Sequence, residues 1–139
     1  MRKILIAEDD FFIRDIYSKV FSLSGYDVQV AVDGMDALEK IKANNFELIL
    51  LDIMMPRMTG IDVLKNVRTT LQPPVKDTPI FIITNLGQQD VIEEAFKLGM
   101  DGYILKSQVS PQQIVDEINN YFINKEAITN PNPTGGQTT

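Results

Sequence analysis

The chain alternates short apolar runs with segments whose apolar residues recur at helical spacing. Lys3-Ile4-Leu5-Ile6-Ala7 reads as a first strand, and it ends on the acids Glu8, Asp9 and Asp10. Ile13, Ile16, Tyr17, Val20 and Phe21 then form one apolar face of a helix that stops near Gly25. Val28, Val30 and Val32 alternate with Gln29 and Ala31, which predicts a second strand with a more polar face, at an edge. Asp33-Gly34 signals a turn, and Ala37, Leu38 and Ile41 mark a second helix that ends around Asn44-Asn45. Leu48-Ile49-Leu50-Leu51 is an unbroken aliphatic run, the pattern of a strand buried on both faces of a parallel sheet. It stops abruptly on Asp52, and the chain turns through Pro56 and Gly60 before Ile61, Leu64, Val67 and Leu71 set up a third helix.

After Gln72-Pro73-Pro74, the run Pro79 to Thr84 predicts a fourth strand, with proline tolerated at its first position. Val91, Ile92, Ala95 and Phe96 mark a fourth helix closed by Gly99. Gly102-Tyr103-Ile104-Leu105 is a short fifth strand ending on Lys106. Ser110-Pro111 starts a fifth helix, whose buried face is Ile114, Val115, Ile118, Tyr121 and Phe122. Strict alternation of strand and helix implies βαβ units, and hence an α/β fold: a doubly wound, five-stranded parallel sheet with helices on both faces. From Lys125 onward the composition shifts to Asn, Pro, Thr and Gly. We expect one domain over residues 1–124 and a disordered tail or linker stub over 125–139.

Composition narrows the chemistry. Hydrophobic content of 44% and charged content of 23% over 139 residues are ordinary for a globular domain. The absence of cysteine and histidine excludes disulfides, thiolate metal sites and any Ser-His or Cys-His nucleophile within this chain. A net charge of −6, with no basic cluster to offset it, argues against direct nucleic-acid binding. The first apolar run is too short for a signal peptide or a membrane span, so a cytoplasmic location and no membrane partner are expected.

The strand ends carry the candidate site: Glu8 and Asp9 after the first, Asp52 after the third, Thr84 at the end of the fourth and Lys106 after the fifth. In a parallel sheet these share one edge, where open α/β sheets bind ligands. Taken alone, Asp52 reads equally as a turn or capping residue. Clustered carboxylates repel one another unless some take up protons or a cation neutralises them. With only oxygen ligands on offer, the fitting cation is a hard one such as Mg²⁺. A carboxylate nucleophile, a divalent cation, an ammonium and a hydroxyl are the parts needed to receive a phosphoryl group as an acyl phosphate.

These residues, in this order and near this spacing, resemble the receiver domain of two-component response regulators, over residues 2–123. The resemblance rests on Glu8-Asp9, on Asp52 followed by Pro56 and Gly60, on Thr84, and on Tyr103 before Lys106. It implies the flavodoxin-like strand order 2-1-3-4-5. It also implies that Asp52 is the phosphoacceptor, loaded by a sensor histidine kinase or phosphotransfer protein. Asp9 would bind Mg²⁺ directly, Glu8 through water, and the Met54 backbone carbonyl would complete the protein ligands. Arg14, five residues after Asp9, sets this register and leaves Asp10 outside the pair. Thr84 and Tyr103 would form a switch read out by a downstream protein on the face of the fourth helix, fifth strand and fifth helix. Such a module is not an enzyme beyond its own phosphorylation and dephosphorylation.

The sequence departs from the family's pattern at Ser107 and at Asn85, which stands after Thr84 where a small residue is usual and could narrow the approach to Asp52. Ser107 follows Lys106 where proline is usual, and a cis bond before serine would cost about 3 kcal/mol, so a trans bond is expected. Met54 and Leu86 occupy the two positions that modulate hydrolysis of the aspartyl phosphate, and both are apolar, so a long-lived phosphorylated state is expected. The alternatives are a receiver-like module that signals by binding without phosphorylation and a Mg²⁺-dependent aspartyl-phosphate phosphatase. The latter commonly places a second acid two residues after its nucleophile, where this chain has Met54. A flavodoxin-like FMN binder would need small or hydroxyl residues at Glu8-Asp9-Asp10 to cradle phosphate.

Overall fold

Strands and helices alternate through the chain in the computed structural model, which describes residues 1–85 and 87–129. The order is β1 (Lys3–Ala7), α1 (Phe11–Leu23), β2 (Asp27–Ala31), α2 (Gly34–Ala43), β3 (Leu48–Leu51), α3 (Gly60–Thr70), β4 (Ile80–Thr84), α4 (Gln89–Lys97), β5 (Gly102–Leu105) and α5 (Pro111–Thr129). All pairings are parallel and the sheet order is β2-β1-β3-β4-β5, with β2 at an edge. This is the doubly wound, five-stranded architecture that the alternation implies.

The period-two geometry of the strands divides the core into two layers. Ile4, Ile6, Leu48 and Leu50 pack with Tyr17 and Phe21 of α1 and Ile114, Ile118 and Phe122 of α5. Leu5, Ile49, Leu51 and Ile82 face the other way, toward Leu38 and Ile41 of α2, Val63 and Leu64 of α3 and Ala95 of α4. Every residue of β3 is fully buried, which is why its sequence shows no alternation. Burial of one such aliphatic side chain contributes roughly 1.5–3 kcal/mol. A polar residue in β3 would have no solvated face to turn to.

Three apolar positions differ from the sequence pattern. Ile16 is 48% exposed and Phe96 60% exposed. At about 100° per residue, each lies well off the centre of its helix's buried arc. Val32 falls after β2 and is exposed, whereas Ala31 is the fully buried residue there. Asp33-Gly34 is not a free turn: Asp33 is the N-cap of α2 and Gly34 its first residue. α5 runs through residue 124 to Thr129, into the segment read as a tail, and residues 130–139 lie outside those described. That extension is pinned by a Glu126 ion pair to Arg2, whose guanidinium sits 4.0 Å over the Phe122 ring.

Two local devices fix the end of β3. The Asp52 backbone N–H donates to the Ala7 carbonyl at 3.1 Å, extending the ladder by one step. On the far side, Gly60 opens α3 against the Asp52 backbone. A Cβ on Gly60 would fall 2.2 Å from the Asp52 carbonyl oxygen, so only glycine permits the approach. Thr59 caps α3 in a reciprocal capping box with Asp62.

Candidate functional site

Chain topology places the acidic residues. β1 and β3 are neighbours although α1, β2 and α2 separate them in sequence, so the strand order reverses direction between them. Ligands bind in the crevice at such a reversal. Ala7 is registered with Leu51, so the next residues, Glu8 and Asp52, emerge side by side. On the other flank Thr84 is registered with Leu105, which brings Lys106 to the same edge.

Lys106 joins the two buried carboxylates. Its Nζ donates to Glu8 Oε1 at 2.5 Å and to Asp52 Oδ2 at 2.9 Å. The three side chains are only 10%, 3% and 6% exposed, for Lys106, Glu8 and Asp52 respectively, so their charges interact in a poorly screened environment. Burial pushes the Glu8 carboxyl above its ordinary pKa, and the Lys106 hydrogen bond pulls against that shift without cancelling it. Burial alone would lower the Lys106 pKa, but the hydrogen bonds to Glu8 and Asp52 outweigh it and hold the ammonium protonated.

Asp9 completes the acidic group from the exposed side. Glu8, Asp9 and Asp52 each offer a carboxylate oxygen, and these lie within 4.8 Å of one another. The donors are all oxygen, two of the residues are buried and one faces solvent. That set fits a hard divalent cation that keeps part of its water shell, as Mg²⁺ does. The second oxygen of Glu8 accepts the Asp10 backbone N–H at 3.1 Å, so both of its oxygens have protein partners. Asp10 instead caps α1, accepting from the Phe12 and Ile13 N–H groups. Arg14 fastens the loop by donating to the Glu8 and Asp9 carbonyls at 2.8 and 3.2 Å.

Of the remaining residues singled out in the sequence, Thr84 is buried at the end of β4. Tyr103 is half-buried in β5 and packs on the α2–α3–α4 layer. Met54 is 62% exposed at the mouth of the site, and its N–H lies 3.4 Å from Asp52 Oδ1. Met55, in contrast, is buried. Leu86 lies outside the described residues. The Lys106–Ser107 bond is trans, and Lys106 to Gln108 form a single 3-10 turn. The groove at the opposite end of the sheet, lined by Arg2, Phe46, Pro74, Phe122 and Lys125, holds no such cluster among the described residues, and its guanidinium is already paired with Glu47 and Glu126.

Sequence reasoning missed Arg57. Its guanidinium pairs with Asp33 across two loops that border the site. A lone arginine in a loop carries no spacing signal. The available hint was a bulky residue between Pro56 and Gly60, in a turn that favours small ones.

Comparison with known proteins agrees with this fold. The model of the response regulator receiver domain family matches residues 4–119. The chemotaxis protein CheY of Thermotoga maritima is 32% identical over 119 residues, which cover 85% of this chain and 95% of that protein. A CpxR-homolog transcriptional regulatory protein of Haemophilus influenzae is 33% identical over 106 residues, 76% of this chain but 44% of that protein. The chain therefore spans less than half the length of that relative. The solved receiver domain of the Francisella response regulator 1452 superposes with a TM-score of 0.79 at 32% identity, covering 90% of this chain and 99% of that one. The chemotaxis protein CheY4 of Vibrio cholerae gives a TM-score of 0.79 at 32% identity, covering 86% and 98%.

Proposed function

The chain belongs to the response regulator receiver domain family, and from that premise we propose that Asp52 is its phosphoacceptor. The observation that carries this reading is the contact of Lys106 with Asp52, inside a group of carboxylates at the reversal of strand order. The donor is a histidine kinase or phosphotransfer protein. An Asp52 carboxylate oxygen attacks the phosphorus of a phosphohistidine; the O–P bond forms as the P–N bond breaks, and the electron pair leaves on the donor imidazole. Lys106 stands where its ammonium offsets charge on the equatorial oxygens. The Thr84 hydroxyl donates a hydrogen bond to one of those oxygens.

Asp9 and Asp52, with the Met54 carbonyl, would hold Mg²⁺, and Glu8 would reach it through water. When bound, Mg²⁺ supplies positive charge against the phosphoryl oxygens. As Thr84 moves toward the phosphoryl group, the Tyr103 ring turns inward into the space released. The face of α4, β5 and α5 then changes shape and is read by a downstream protein. The chain works as a cytoplasmic signalling module, and its charge of −6 argues against direct nucleic-acid binding.

The test is to load the chain from a small acyl phosphate with Mg²⁺ and to map the phosphate. A base-labile phosphate on the Asp52 peptide, absent when the cation is chelated, is expected. A phosphate mapped to a serine or threonine would overturn the assignment. The lifetime is also predicted. Met54 cannot orient an attacking water, so Met54→Asn is expected to shorten the phosphate half-life severalfold. Decay after removal of the donor measures this, and an unchanged or longer half-life would remove Met54 as a determinant.

A further inference from the structure

Arg57 has a φ of +68°, in the left-handed region that glycine or asparagine enters at lower steric cost. A loop that needed only the turn would have no use for a long cation there. The guanidinium instead reaches the loop between β2 and α2. Nε donates to Asp33 Oδ2 at 2.8 Å and Nη2 donates to Oδ1 at 3.1 Å. This bidentate fork is a geometry that arginine makes and lysine does not. Asp33 is buried and is itself fixed, because Oδ1 also accepts the Asp36 N–H at 2.8 Å to cap α2. Beside the pair, the two backbones touch: a Cβ on Gly34 would fall 1.8 Å from the Met58 carbonyl oxygen.

The loop held in this way carries Met54. It is folded on itself by the bonds Met55 N–H to Ile53 O, Met58 N–H to Pro56 O and Gly60 N–H to Ile53 O. The Met54 side chain is exposed, so its own packing does not fix its peptide plane, and its N–H makes a long contact to Asp52. Ile53 and Met55 on either side of Met54 are buried in the core, and further on the loop is tied to the start of α2 by the fork and by the Gly34–Met58 backbone contact.

We propose that Arg57 and Asp33 form a clasp that positions the Met54 carbonyl for Mg²⁺, which makes them positioning residues for the phosphorylation site. The clasp rests on the reading of Asp52 as a Mg²⁺-dependent phosphoacceptor. It links the loop after β2 to the loop that carries Met54 through an ion pair.

Titration of the full chain with Mg²⁺ by calorimetry tests this, with circular dichroism melts of the same samples. Asp33→Asn keeps a good N-cap and loses only the charged fork. Arg57→Ala removes the fork and keeps the backbone demand. Arg57→Gly removes both and relieves the backbone. Each is expected to weaken Mg²⁺ binding roughly tenfold, the effect of losing an outer-shell support. The double variant Asp33→Asn/Arg57→Ala should lose no more than either single, because one interaction is removed in all of them. Arg57→Gly should lose affinity while its unfolding midpoint stays close to that of the wild type, a split that a merely structural role would not produce. Wild-type affinity in the folded single variants, or additive losses in the double, would overturn the clasp and leave the phosphoacceptor reading standing. If the wild type itself bound no Mg²⁺, both would fall.

Discussion

Asp52→Asn is expected to abolish phosphate loading entirely while leaving the fold intact. Asparagine has nearly the same shape, and its neighbours are already closely packed: Gly60 against its backbone on one side and the β1 ladder on the other. An isosteric change of this kind leaves the packing in place and removes one of two neighbouring buried carboxylates, so the fold should be retained. Lys106 would keep its bond to Glu8 at 2.5 Å, so no ammonium would be left buried alone. An amide has no anionic oxygen to attack phosphorus, so the effect is loss of the reaction rather than a slower rate. Mg²⁺ binding should weaken by at least the roughly tenfold loss seen when even an outer-shell support is removed, because one of three clustered carboxylates becomes neutral. Loading from a small acyl phosphate, followed by intact mass measurement, reads the first effect. Calorimetric titration reads the second. Equal loading of wild type and variant would refute the assignment of Asp52.

The sequence made the strands legible where burial was complete. Leu48 to Leu51 reads as a central strand and is one, and its end on Asp52 marked the candidate site once the other strand ends were set beside it. Strand ends were the reliable signal, because a parallel sheet delivers every one of them to the same edge. Helix faces were less legible. Ile16 and Phe96 fit the apolar spacing but lie off the buried arc, and an α-helix as short as α4, with only Ala95 fully buried, leaves its outer apolar residues exposed. Contacts between loops were not legible at all. Asp33-Gly34 reads as a turn in one dimension. In three, Asp33 caps α2 and grips Arg57, and Gly34 is there because the Met58 carbonyl leaves no room for a Cβ. Periodicity carries no information about which two loops meet.

Lys106→Met should lower stability by roughly 3 kcal/mol in the absence of Mg²⁺, and added Mg²⁺ should recover much of that loss. Methionine preserves most of the unbranched stem and its packing, so the substitution tests the charge. Glu8 and Asp52, 3% and 6% exposed, would be left as neighbouring buried carboxylates without their shared ammonium. Removing one partner of a buried ion pair costs about 3–5 kcal/mol, and the low end applies at a site that opens to solvent through Asp9. The same vacated charge should make the carboxylate group a better cation site, since a competing positive charge has gone. Mg²⁺ should therefore bind more tightly than in the wild type and so stabilise the variant more, through the ordinary linkage of binding to folding. Phosphate loading at saturating Mg²⁺ should nevertheless slow by about a hundredfold, because the ammonium no longer opposes charge on the phosphoryl oxygens. Urea unfolding with and without Mg²⁺, set beside loading rates, separates these effects. A variant as stable as wild type without Mg²⁺ would mean that Lys106 does not neutralise the buried pair. A stability gap that Mg²⁺ fails to narrow would mean that removing the ammonium does not strengthen cation binding among these carboxylates.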